Sequence, residues 1–355
     1  RKKERKKERT EQNRIRGLRR PLSLSLSVCL SVSFFLSLCG YHIIRSSVAI
    51  AMFASSISPA YSSPPTLSSS LASPTAMAPP PIASSSSSSI SSSSSPRSLK
   101  ARLAHGHRLY GAFLCTSSPT IAEILGWSGY DYVVIDLEHG QGDVPQALPC
   151  LRALSSTQTP SIIRVACNDP TLIKKTLDLG PDGIMIPMVE SASEAAMAVS
   201  ACRYPPRGIR GAAHPVARAS SYGLDHSYLA RCEQDTEFLV ILQIETEAAV
   251  GCISEIAAVD GVDCLMVGPT DLSASVGYLH DPGHRSVKEL QHRAEKAVLS
   301  AGGGVYLAGF AMRDDPPVEL FARGCHMVSG AVDIAMFRDA ALADVKANKV
   351  KKPQL

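Results

Sequence analysis

From Gly111 onward the chain alternates short, almost wholly apolar runs with longer amphipathic stretches. The apolar runs are Gly111–Thr116, Tyr132–Leu137, Ser161–Ala166, Gly183–Met188, Phe238–Ile244, Cys264–Val267, Gly304–Ala308 and His326–Ser329. They lack the apolar–polar alternation of a sheet with one wet face, which is the pattern of parallel strands covered on both faces. Between them the spacing predicts helices over Pro119–Trp127, Val144–Ser155, Pro170–Leu179, Ala192–Cys202, Glu247–Val259, Arg285–Ser300, Asp315–Arg323 and Ala335–Lys349. Pro119 and Pro170 suit first-turn positions, where a missing N–H costs nothing. Gly180 and Gly302 fall where helices stop. Eight strand–helix units in about 255 residues predict a (β/α)8 TIM barrel over 101–355. A doubly wound open sheet is the alternative, but no G-x-G-x-x-G follows the first strand. The fourth unit carries a longer insertion, Arg203–Asp235.

Residues 1–100 read differently. A basic run occupies 1–20, an alternating Leu/Ser/Val/Phe stretch covers Leu22–Leu38, and Ser, Pro and Ala dominate 54–99. No Asp or Glu occurs between Glu11 and Glu123. So little apolar surface cannot offset the entropy of ordering, and disorder is expected. An acid-poor, Ser-rich, Arg-containing segment has the profile of an organelle transit peptide, with a plastid expected first and a mitochondrion next. Met52 is a candidate start within it. A secretory signal or anchor at Leu22–Leu38 is the competing reading, although that stretch is short for a span and diluted by serine. No stable membrane association of the mature domain is expected.

Charge then divides the chain. The first hundred residues hold 14 of the 36 Lys and Arg but three of the 32 acids, so the remainder carries about −7 despite an overall +4. That balance argues against a nucleic-acid partner. Eight cysteines beyond the extension are scattered singly, without zinc spacing, and read as buried reduced thiols.

In a β/α barrel the chemistry sits at the carboxyl ends of the strands. The second strand ends in Asp136, Glu138 and His139; the third carries Arg164; the fifth ends in Gln243 and Glu245; Asp271 follows the sixth. No comparable set is evident at the strand starts. Each residue also has a bland reading: Arg164 as a buried ion-pair partner, Glu245 as a helix N-cap, Asp271 as an Asx turn, His139 as a loop histidine. Taken together the set suits a hard divalent cation, Mg2+ or Mn2+, held by Glu245 and Asp271 with positions open to a 2-oxo acid. Arg164 can meet negative charge growing on the keto oxygen. His139, oriented by Asp136, is the candidate for proton transfer. No predicted strand contains a lysine, so a Schiff-base aldolase is not expected.

Six stretches resemble a known family. IDLEH (135–139), IRVACNDPTLIKKTLDLGPDGIMIPMVE (163–190), YPPRGIRG (204–211), ARAS (217–220), LQIET (242–246) and GPTDLSASVG (268–277) are similar to the HpcH/HpaI aldolase/citrate lyase family, in its 2-oxo-3-deoxy acid aldolase branch. The resemblance spans about Leu103 to Lys346. It implies a barrel of the phosphoenolpyruvate/pyruvate type and reversible cleavage of a 4-hydroxy-2-oxo acid to pyruvate and an aldehyde through a metal-stabilised enolate. It further implies a divalent ion (Mg2+, Mn2+ or Co2+) on Glu245 and Asp271, and substrate contacts from Arg164, Gln243 and the Gly268, Pro269, Thr270 and Ser273 segment. His139 with Asp136, and Asp178, are implied in proton transfer. A homo-oligomer is implied, commonly a hexamer, with the last helix exchanged between protomers. Two departures, VAC at 165–167 and His214 within AAHPVA, bear on the aldehyde side. A CoA-ester lyase of the citrate or malyl type, or a non-catalytic barrel, are the alternatives.

Overall fold

The computed structural model describes residues 98–349. The expected targeting segment, apart from its last three residues, lies outside the described residues. Eight parallel strands close into one barrel in chain order. They are β1 Leu109–Leu114, β2 Tyr132–Asp136, β3 Ser161–Arg164, β4 Gly183–Ile186, β5 Leu239–Ile244, β6 Cys264–Val267, β7 Tyr306–Phe310 and β8 Met327–Val332. The helices are α1 Leu99–Ala104, α2 Pro119–Trp127, α3 Val144–Ser156, α4 Pro170–Asp178, α5 Ala192–Cys202, α6 Tyr228–Glu233, α7 Glu247–Gly251, α8 Ile253–Ala257, α9 Pro269–Ser275, α10 Arg285–Ser300, α11 Pro317–Ala322 and α12 Asp333–Asn348. Among the described residues no helix is long and apolar enough to cross a membrane.

Alternation along each strand sorts side chains between the lumen and the helical layer. Leu109, Phe113, Tyr132, Val134, Ile162, Met185, Leu239, Ile241 and Met266 fill the lumen. Ala112, Leu114, Val133, Ile135 and Ile163 face α2 and α3. Leu242, Ile244, Leu265 and Val267 face the helices on the other side. The interior is therefore a packed core, and catalytic groups can stand only at its rims. Helix α1, absent from the sequence-based expectation, adds Leu99 and Leu103 to the lumen cluster.

Three carboxylates do occupy the strand starts, correcting the expectation that none of note would. Asp131, Asp182 and Asp263 each precede a strand by one residue and accept the N–H of Tyr110, Ser161 and Val240, at 2.9, 2.9 and 2.7 Å. They stitch neighbouring strands at the rim opposite the predicted site. Elsewhere local chemistry trims the expected elements. Gly303 and Gly304 have φ of 72° and 77°, so β7 starts at Tyr306. The helix expected over Glu247–Val259 breaks at Cys252, which separates α7 from α8.

The final unit departs most from the barrel plan. Helix α12 buries Asp333 alone among its residues. Phe337, Leu342 and Val345 stand exposed along it, and at the end of β8 Gly330 is exposed while Ala331 and Val332 are half-buried.

Candidate active site

Parallel register sets Asp136 of β2 beside Arg164 of β3. Arg164 Nε and Nη2 donate to Asp136 Oδ1 and Oδ2 at 2.9 and 2.7 Å, a two-pronged charge-assisted pair. Its Nη1 lies 2.8 Å from Glu138 Oε2, and its guanidinium sits 4.9 Å from the Phe113 ring centre. Asp136 is wholly buried. It also accepts the backbone N–H groups of Glu138 and His139, at 3.1 and 3.3 Å, and the Cys115 thiol at 3.4 Å. Burial pushes the Asp136 carboxyl up, but Arg164 and the two N–H groups outweigh it and hold it below the usual range.

Two residues beyond the Gln243 position on β5, Glu245 enters the same face. Gln243 Nε2 donates to Glu245 Oε1 at 3.0 Å, and Met188 N–H donates to Glu245 Oε2 at 2.9 Å. Glu245 is no helix cap, since Thr246 takes that role at the start of α7. Asp271 sits in the first turn of α9 and is exposed at the rim. Gly268 lets β6 pass close to Glu245: a Cβ there would lie 2.6 Å from Oε1 and 2.7 Å from Cγ. Burial first, and then the charges of Glu138 and Asp271, push the Glu245 carboxyl up to about 7. Glu138 is raised as well, again by burial first and then by Asp136 and Asp271.

These groups line one open cavity of about 310 Å3. Asp136, His139, Arg164, Gln243, Glu245, Gly268, Pro269, Thr270 and Asp271 contribute its polar side. Phe113, Cys115, Met266, Phe310 and Val332 contribute its apolar side. Gln243 Oε1 is buried there without a partner.

Not every expected residue arrives. Asp136 does not orient the His139 ring; its oxygens are taken by Arg164, and it reaches only the His139 backbone. The carboxylate nearest the ring is Glu138, with Oε2 3.9 Å from Nε2, and the imidazole is 65% exposed. Asp178 ends α4 and pairs with the buried Arg210 at 2.9 Å, away from the cavity lining. Ser273 is buried, its hydroxyl donating to Thr270 O at 2.6 Å, so it too misses the cavity. His214 lines a separate cavity beside Tyr204 and Arg207. Cys115 was missed, and Glu138, noted at the end of the second strand, was given no role. Glu138 follows Asp136 by two positions, a signal the strand period carries. Cys115 and Val332 carry no polar signature and enter only through closure of β1 against β8.

Comparisons with known proteins identify the family of the chain. The profile of the HpcH/HpaI aldolase/citrate lyase family matches residues 109–340. The chain is 35% identical over 246 residues to a hydroxypyruvate/pyruvate aldolase of Delftia acidovorans, covering 69% of this chain and 90% of that protein. It is 37% identical over 257 residues to a 5-keto-4-deoxy-D-glucarate aldolase of Shigella boydii, covering 70% and 96%. Among solved structures, an HpcH/HpaI aldolase/citrate lyase family protein of Burkholderia cenocepacia matches with TM-score 0.66 and 34% identity, over 71% of this chain and 99% of that one.

Proposed function

We propose, for a chain that belongs to the HpcH/HpaI aldolase/citrate lyase family and is a carbon–carbon lyase, that it reversibly cleaves a 4-hydroxy-2-oxo acid to pyruvate or hydroxypyruvate and an aldehyde, with a divalent cation on Glu245 and Asp271. The observation that carries this reading is the charge balance of the cavity. Asp136, Glu245 and Asp271 line the cavity, with Glu138 beside it, against a single guanidinium, Arg164, and burial together with this excess of negative charge raises the Glu138 and Glu245 carboxyls. Hard oxygen donors in charge excess, with no cysteine–histidine cluster, fit Mg2+ or Mn2+. Such an ion, when bound, supplies Lewis-acid polarisation of the oxygens of a 2-oxo acid.

The protein groups supply the rest. Arg164 is held by Asp136 and Glu138, so its charge is fixed at the cavity floor before any ligand enters, where negative charge grows on the keto oxygen as the C3–C4 bond breaks. Gln243 offers a buried, unpartnered carbonyl oxygen to a ligand hydroxyl, an acceptor suited to hydroxypyruvate. His139, exposed at the mouth beside Glu138, can carry a proton between the 4-hydroxyl and solvent. Phe113, Met266, Phe310 and Val332 give the aldehyde chain an apolar wall. The name of the Delftia acidovorans relative, a hydroxypyruvate/pyruvate aldolase, supports a pyruvate-type nucleophile. Incubating the purified protein and Mg2+ or Mn2+ with a panel of racemic 4-hydroxy-2-oxo acids, while following release of pyruvate or hydroxypyruvate, tests this. Metal-dependent release from at least one acid supports the reading, and silence across the panel refutes it.

We also propose that α12 packs on a second copy of the chain. Its exposed Phe337, Leu342 and Val345 are an apolar surface that a lone protomer leaves in water.

A further inference from the structure

Arg164 is buttressed from the side where β8 meets β1, through two residues, Cys115 and Asp333, to which the catalytic reading gives no role. Asp333 is the first residue of α12 and is 6% exposed. Its Oδ1 accepts the Cys115 N–H at 2.9 Å, and its Oδ2 accepts the Thr116 N–H at 3.0 Å and the Thr116 hydroxyl. One carboxylate from the end of β8 thus fixes the backbone that leaves β1. The fixed residue, Cys115, is itself 8% exposed and turns its thiol to Asp136 Oδ2 at 3.4 Å. That oxygen is the one that receives Arg164 Nη2 at 2.7 Å.

We propose that Cys115 and Asp333 are positioning residues that hold Arg164 in place through Asp136 and tie that placement to the root of the final helix. The two oxygens of Asp136 are unequal. Oδ1 is fixed by the N–H groups of Glu138 and His139 as well as by Arg164 Nε. Oδ2 has Arg164 Nη2 and the Cys115 thiol as its donors. Without the thiol, nothing but Arg164 itself holds that oxygen, and the carboxylate can turn with the guanidinium. The thiol suits a donor's task and not a nucleophile's. Burial, and then the carboxylates of Asp136 and Asp333, push it up to about 12, so it keeps its proton. Asp333 in turn sets where Cys115 stands. It is also the buried foothold of a helix whose other residues are not buried, so whatever packs on that helix acts on the floor of the cavity through this chain of contacts.

The inference rests on the role given to Arg164 above, and its test has one arm that needs no turnover. In protein labelled with 15N-arginine, the Arg164 Nη2–H signal, whose bond is to the Asp136 oxygen that Cys115 also meets, is identified by its loss in Arg164→Lys. Its exchange with solvent is expected to be slow in the parent and in Cys115→Ser, which keeps a donor. In Cys115→Ala and Asp333→Asn it should be about tenfold faster. Equal protection in Cys115→Ala and the parent overturns the proposal whether or not the protein is an aldolase. The second arm is a kinetic cycle. Cys115→Ala should lower kcat/KM roughly tenfold in the parent and hardly at all once Arg164 is lysine. The same factor in both backgrounds would mean a general packing defect and would also overturn it.

Discussion

Arg164 and Asp136, neighbours in register on β3 and β2, join at 2.9 and 2.7 Å in a two-pronged ion pair at the floor of the cavity. A buried pair of this kind is a poor source of stability, because desolvation offsets much of its attraction. In the proposed reaction its value lies in fixing a cation where charge develops. Arg164→Lys keeps the charge and loses the fork, so it should lower kcat/KM by roughly a hundredfold or more. Steady-state kinetics on a responsive 4-hydroxy-2-oxo acid measure this. A loss of less than about threefold would show that the planar geometry is not what matters.

Gly268 should tolerate no side chain. The added methyl of Gly268→Ala meets Glu245 Oε1 at 2.6 Å, so the carboxylate must move. Affinity for Mn2+, read by titration calorimetry, is expected to fall at least about tenfold, with the fold intact by circular dichroism. Unchanged affinity would remove Glu245 from the proposed ligand pair.

A pH dependence of stability arises far from the cavity. His326 Nδ1 accepts the Leu307 N–H at 3.1 Å, which requires the neutral ring. Burial, with help from Arg108, holds its pKa below the ordinary imidazole value. A base depressed in the fold contributes stability that is fully present above about pH 6.5, its unfolded value, and is lost as pH falls through the folded one. Urea unfolding of the parent should therefore weaken between pH 7.5 and pH 5 by more than that of His326→Asn. Parallel curves for the two proteins would contradict this.

The apolar face of α12 gives a prediction about assembly. Phe337 is 77% exposed, and Phe337→Glu should leave the barrel folded while lowering the sedimentation mass of the parent. An unaltered mass would place any interface elsewhere.

Much of the fold could be read from residues alone because strands covered on both faces are apolar throughout. Against that background Asp136, Arg164, Gln243, Glu245 and Asp271 stood out, and the cavity gathers all five. Where the sequence misled, the cause was a side chain already taken by another partner. Asp136 precedes His139 by three positions and looked like its orienting partner, yet the register of β2 on β3 gives it to Arg164. Asp178 and Ser273 belong to motifs but are taken by Arg210 and by the Thr270 carbonyl. Cys115 and Asp333 meet across more than two hundred residues at the closure of the barrel, which no local pattern encodes. The substrate's aldehyde half is illegible for a similar reason, since apolar side chains from β1, β6, β7 and β8 shape that wall together.

On the proposed reading this cavity forms a pyruvate enolate with the help of a cation on Glu245 and Asp271. Exchange of the pyruvate methyl protons in D2O, followed by NMR, tests it without any choice of aldehyde. Exchange is expected with Mg2+ or Mn2+, with its loss on chelation and its absence in Glu245→Ala. Metal-loaded protein that leaves the methyl signal intact, or a Glu245→Ala variant that still exchanges it, would contradict the account.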